Sequence, residues 1–125
     1  MTIQECYNKL GGSLEQAEKR LPSINLIKKF VAKFPYDSSF SELCFAMQNG
    51  DAKAAFRAAH TLKGVCANLN FDRLFSSAEL LTELLRDKTD TIPKKAFALL
   101  ENVKTDYELT VDAIRAYLAS DDEQP

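Results

Sequence analysis

The chain has little of what many specialised proteins need. It contains one histidine, three cysteines, four glycines and four prolines. No apolar run approaches the roughly 18 residues of a membrane-spanning helix, so no membrane span is expected. The start, Met1-Thr2-Ile3-Gln4-Glu5, lacks the basic residues and apolar stretch of a signal peptide, and a cytoplasmic location is the expectation. Cys6, Cys44 and Cys66 are odd in number and far apart. That spacing excludes a disulfide framework and a zinc site, and it fits reduced, packed thiols. Gly11-Gly12 is too short and isolated to cradle a phosphate, and no nucleotide pattern exists elsewhere. No bound cofactor or metal is expected. The net charge of −2 makes the chain a poor nucleic-acid binder.

What is present suits one helical domain. A chain of 125 residues buries roughly two-thirds of its unfolded surface, so it needs no metal or disulfide to fold. Glycines and prolines sit mostly where elements should end. A short helix is expected over 3–10 after Thr2, and a second from Leu14 to Leu21 after Ser13. Ser23 is a good cap for Ile24 to Phe34, where Leu26, Ile27, Phe30, Val31 and Phe34 recur at helical spacing. Pro35 ends that run, and Asp37-Ser38 can restart it through Phe40, Leu43, Cys44 and Met47. Asn49-Gly50 stops the helix, and Asp51 caps a long one from Ala52 to Leu69. Asp72 is expected to cap the next, to about Lys88, with Leu74, Phe75, Ala78, Leu81, Leu84 and Leu85 as its stripe. A polar loop from Thr89 to Ile92 leads to Pro93 at a first helical position, and the last helix runs to about Ala119. Its apolar positions are Phe97, Leu100, Val103, Tyr107, Val111, Ile114 and Leu118. The pattern is all-α: an antiparallel four-helix bundle with an additional short N-terminal helix.

Ala52 to Asn70 is the informative stretch. At 100° per residue, one face of this helix collects Ala55, Ala58, Leu62, Val65, Cys66 and Leu69. The opposite face collects Lys53, Phe56, Arg57, His60, Lys63, Gly64 and Ala67. A lone histidine is commonly a plain surface residue, and a lysine three positions away arises by chance. A mid-helix glycine can serve helix packing, but Gly64 falls away from the core stripe. It costs about 1 kcal/mol against alanine and removes the side chain that would crowd His60. The joint pattern is an accessible imidazole with a cation one turn on and bare backbone beside it.

Ala59-His60-Thr61-Leu62-Lys63-Gly64 resembles the A-H-x-L-K-G signature of the histidine-containing phosphotransfer (HPt) domain. The similarity extends to Leu43, Gly50-Asp51, Phe56-Arg57-Ala58-Ala59, Ala67-Asn68-Leu69 and the helix through Ala78, Leu81 and Leu85. It implies a four-helix bundle over 23–119, with an N-terminal helical extension at 1–22 and a disordered acidic tail at 120–125. It implies a phosphoryl carrier, not an independent enzyme, working in a two-component phosphorelay. His60 would carry the phosphoryl group, Lys63 would stabilise its charge and Gly64 would give access. Partners would be response-regulator receiver domains and a sensor histidine kinase, docking on Phe56, Arg57 and Ala67. Phe56 would be exposed, or else packed under the N-terminal helix. The magnesium this chemistry needs would come with the receiver. A monomer is the simplest expectation. One departure is Asn70, where the family usually has a glycine; asparagine is the next best left-handed cap.

Three other readings compete. The first is the phosphoacceptor domain of a larger hybrid or chemotaxis-type kinase. The chain does not resemble the dimerisation helix of an ordinary sensor kinase, which has an acidic residue after the histidine and a proline five positions on, where this chain has Thr61 and Val65. A scaffold that binds receivers without phosphorylation is the second. A hydrolase or metal enzyme is the third, and a single histidine without paired carboxylates argues against it.

Overall fold

The computed structural model describes residues 1–88 and 90–120. The helices are α1 (Ile3–Leu10), α2 (Leu14–Arg20), α3 (Ile24–Lys33), α4 (Ser39–Gln48), α5 (Ala52–Leu69), α6 (Asp72–Leu85) and α7 (Lys95–Ala119). A 3-10 turn, Phe34–Tyr36, separates α3 from α4. Helices α4 to α7 form an antiparallel bundle, in which α5 packs between α4 and α6, and α6 against α7. Helix α1 lies along α7. Among the described residues no helix is long and apolar enough to cross a membrane. The expected polar loop includes Thr89 and the expected tail covers 120–125; Ser120 is described, as the cap that closes α7, whereas Thr89 and residues 121–125 lie outside those described.

Local chemistry explains most boundaries. The side chains of Thr2, Ser13, Ser23 and Asp51 each accept a hydrogen bond from a first-turn backbone N–H, satisfying donors that have no intrahelical partner. Ser38 makes no such cap; the Asp37 carboxylate accepts from the Ser39 N–H instead. Three expectations shift. Asp72 is the first residue of α6, not its cap, and Phe71 holds the cap position. Helix α6 stops at Leu85, short of Lys88, because Arg86 turns extended and Asp87 takes a left-handed φ of 63°, which a right-handed helix cannot continue. Pro93 precedes the α7 pattern: its carbonyl accepts from Ala96 in a tighter turn before the helix begins.

The core is one apolar cluster drawn from every helix. It includes Ile3, Cys6, Tyr7, Leu10, Leu14 and Ala17, so the first two helices share it with the bundle. The stripe on α7 is shifted from the expected one. Val103, Val111 and Ile114 are buried, with Thr110, Ala113 and Tyr117 added, whereas Phe97 and Leu118 are about half exposed. Phe30 on α3 is likewise exposed, although it falls on the expected apolar face. Cys6 and Cys66 are buried, Cys44 half-buried, and all three thiols are free. Burial pushes the Cys6 thiol up to about 11 and Cys66 upward too, which keeps both protonated and inert.

Two constructions hold the helices in register. The first is a run of aromatic contacts. Tyr7 meets Phe71, Phe71 meets the edge of Phe34 at 5.1 Å, Phe34 meets Tyr107, and Tyr107 stacks on Phe40 at 4.1 Å. The run joins α1, the α5–α6 turn, the 3-10 turn, α7 and α4. The second is a backbone stitch between the α1–α2 and α5–α6 turns. Ser13 N–H donates to the Asn70 carbonyl and Arg73 N–H to the Gly11 carbonyl, both at 3.0 Å. Tyr7 Oη donates to the Leu69 carbonyl, and Arg20 Nε to Asn70 Oδ1. This stitch is why two glycines stand at 11 and 12. Gly11 takes a left-handed φ of 79° to end α1. Gly12 passes so close to the partner turn that a Cβ would lie 2.5 Å from the Asn70 carbonyl oxygen.

Substituting Gly12→Ala is therefore expected to cost about 1–3 kcal/mol, because the blocking atom is backbone and cannot rotate away. Gly50→Ala meets nothing within 4 Å and carries only the strain of a left-handed φ. Thermal denaturation of the two variants checks this: Gly12→Ala should melt well below Gly50→Ala, and equal melting temperatures would contradict the stitch.

Candidate functional site

Helix α5 is set about its own axis by what it buries. Ala52, Ala55, Ala58, Ala59, Leu62, Cys66 and Leu69 face inward. Four of these are alanines, small enough to let α4 and α6 approach closely on either side. The stripe matches the sequence expectation and adds Ala52 and Ala59, while Val65 is only half-buried. The helix is pinned at both ends. The Asp51 carboxylate accepts from the Ala54 N–H at 3.0 Å, and Asn70 closes the other end at φ 54° and ψ 46°. The cap expected from asparagine at this position is thus present.

With that setting, His60 is exposed. Its ring lies 5.8 Å from the Phe56 ring, one turn earlier, at a tilt of 36°. Lys63 is half-buried and forms no ion pair among the described residues. Gly64 is exposed, and a Cβ built there would meet nothing within 4 Å. No packing in the fold demands a glycine at 64.

The other expected positions divide between two flanks. Arg57 is exposed and rims a shallow groove between α4 and α5, floored by Ala46, Ala54 and Ala58 and walled by Phe45, which is 70% exposed. Phe56 turns the other way. It is half-buried against the core, and over its ring lies the guanidinium of Arg86, 5.1 Å from the centroid. The exposed Phe56 of the wheel is therefore corrected: a cation just beyond the end of α6 covers it. Ala67 is half-buried, two turns beyond His60 toward the Asn70 end.

Arg86 and Glu83 are the residues that the sequence reading missed. Arg86 Nη2 and Nε donate to the two Glu83 carboxylate oxygens at 2.8 and 3.2 Å. These hydrogen bonds hold the Glu83 carboxyl below its ordinary range, and the charges of Lys63 and His60 act in the same direction. Glu83 thus belongs to the surroundings of the histidine. Lys53, Arg57 and Lys88 line a further small hollow beside Phe56, together with Asp87. A signal for Glu83 and Arg86 existed. In an antiparallel helix pair, residues at similar distances on either side of the turn come opposite each other. The turn at Asn70-Phe71 places the end of α6 across from His60.

The stability consequence of Gly64 is testable without any partner. Gly64→Ala should raise stability by about 0.5–1 kcal/mol, because the new methyl meets open space and removes backbone freedom from the unfolded chain. Urea denaturation reads this directly. A loss of stability would mean that position 64 is tightly packed after all.

A comparison with known protein families matches the Hpt domain model over residues 12–117, from the start of the α1–α2 turn almost to the end of α7. Searches of curated proteins and of solved structures found no match. The match spans most of the chain, and it covers the helical bundle and the whole of α5 and α6. The chain belongs to the Hpt domain family, the histidine phosphotransfer domains of two-component signalling.

Proposed function

We propose that this chain relays phosphoryl groups in the cytoplasm, accepting them on His60 from an aspartyl phosphate of a receiver domain or from a sensor histidine kinase, and passing them on. The observation that carries this reading is the setting of the only histidine: exposed, with a glycine one turn away whose missing side chain no packing requires. A nitrogen of the neutral imidazole attacks the phosphorus in line. The N–P bond forms as the acyl P–O bond breaks, and the electron pair leaves with the aspartate carboxylate. Such transfers gain mainly from positioning and charge neutralisation. Lys63 supplies a positive charge one turn from the nucleophile. Gly64 lets the partner's phosphorylated loop come close. Magnesium would be held by the receiver's own carboxylates, and no nucleotide would bind this chain. Phe56, Arg57 and Ala67 would lie within the docking surface of a monomeric carrier, whose contact with each partner is brief and small.

The decisive experiment is transfer from a phosphorylated receiver in magnesium buffer, comparing wild type with His60→Gln. Acid-labile label is expected on the wild type and none on the variant. A folded wild type that binds receivers but takes no label would replace relay with scaffolding. The same assay tests Gly64→Ala, which should transfer at least ~10-fold more slowly although it folds no less stably, since small displacements of reacting atoms are expensive in rate. Unchanged transfer by that variant would remove the access role from Gly64.

A further inference from the structure

We propose that Arg86 is a second cation for the phosphorylated histidine, held ready by Glu83 and released to the phosphoryl group once His60 is charged. The inference rests on the relay reading above and adds a device that the α5 sequence does not contain.

Its basis is the shared platform of Phe56. The His60 ring stands 5.8 Å from the centroid of that ring, and the Arg86 guanidinium 5.1 Å from the same centroid. One aromatic side chain therefore neighbours both the histidine and the cation, the guanidinium held by attraction to the ring. Arg86 is also the first residue beyond α6. Its side chain can swing without unwinding the helix.

The strengths favour exchange. The Glu83–Arg86 pair is about half exposed on both sides, at 53% and 43%. Exposed pairs are weak because water screens them, so this one breaks readily. A phosphoryl group brings close to two negative charges near neutral pH and three acceptor oxygens, as on other phosphorylated side chains. A guanidinium offers paired donors suited to such a group, and bonds between ionised partners are the stronger kind. Glu83, left without Arg86, remains in water and pays little. While it keeps its charge beside the site, it opposes the incoming phosphoryl group. Glu83 and Arg86 should therefore act with opposite signs: one disfavours the charged state of the site and the other favours it.

The test needs no partner. His60 is the only histidine and is exposed, so phosphoramidate labels it directly. The phosphohistidine is then followed by 31P NMR as a function of pH in wild type, Arg86→Gln, Arg86→Lys and Glu83→Gln. The titratable and charged groups facing it are Lys63, Glu83 and Arg86, with Lys53, Arg57, Asp87 and Lys88 around Phe56. A cation paired with the phosphoryl oxygens favours their dianionic form. Arg86→Gln should move the titration midpoint up, Glu83→Gln should move it down, and Arg86→Lys should stay near wild type. In wild type the Arg86 Nε resonance should shift on phosphorylation. All of these substitutions are at exposed positions, and circular dichroism checks that each variant is folded. Identical titrations in the four proteins with an unmoved Arg86 resonance would overturn the proposal. Shifts of the same sign for Arg86→Gln and Glu83→Gln would also overturn it. Failure of transfer from receivers, with the titration shifts intact, would sink the relay reading and leave the Arg86–phosphoryl contact standing.

Discussion

The rotation of α5 between α4 and α6 is the constraint on which the site depends. A helix turns 100° per residue, so a small error in its axial setting would carry His60 from solvent into one of the flanking grooves. The setting is held by an inward stripe that is largely alanine. Alanine contributes little apolar area, but it allows the flanking helices to come close, and close helices leave little freedom to rotate. The outward strip is then fixed as well: Gly64 bare, Lys63 to one side, Arg57 to the other. Stability and presentation of the histidine are thus two results of one packing arrangement.

The first two helices secure this arrangement from the end of the bundle. The α1–α2 turn is hydrogen-bonded to the α5–α6 turn, and the Tyr7 hydroxyl reaches the last carbonyl region of α5. The hairpin that carries His60 on one arm and Glu83 with Arg86 on the other is tied where the arms meet. The aromatic run through Phe71 and Phe34 extends that tie across the core to α7 and α4. Because the turn is held, the separation and register of α5 and α6 near His60 are held too. An electrostatic site assembled from both arms depends on that register.

The charge around His60 runs against the chain as a whole. The protein is mildly acidic, yet Lys53, Arg57, Lys63, Arg86 and Lys88 gather on the two arms near the histidine, with Glu83 and Asp87 among them. A local excess of positive charge would favour the phosphoryl transfer proposed for His60. Such a field would attract an acidic surface most strongly at low ionic strength. The apolar groove on the α4 side, with Phe45 exposed at its wall, gives the opposite flank a different character. The two sides of His60 are therefore chemically unlike.

Much of this was legible in the residues alone. Helical periodicity, capping serines and aspartates, and glycine or proline stops set the elements to within a few positions, because these are local effects of backbone geometry. The outward face of α5 was legible for the same reason: Ala55, Leu62 and Cys66 fix which side is inside, and His60, Lys63 and Gly64 fall opposite. What the tertiary structure decided is everything that depends on a neighbour from another element. It covered Phe56 with Arg86, left Phe97 and Leu118 facing outward although they fit an apolar stripe, and ended α6 early at a left-handed Asp87. It made Gly11-Gly12, which the sequence reads as a helix stop, the contact point of two turns as well. The periodicity of one helix states which of its faces is apolar, but only the packing of several states what each face meets.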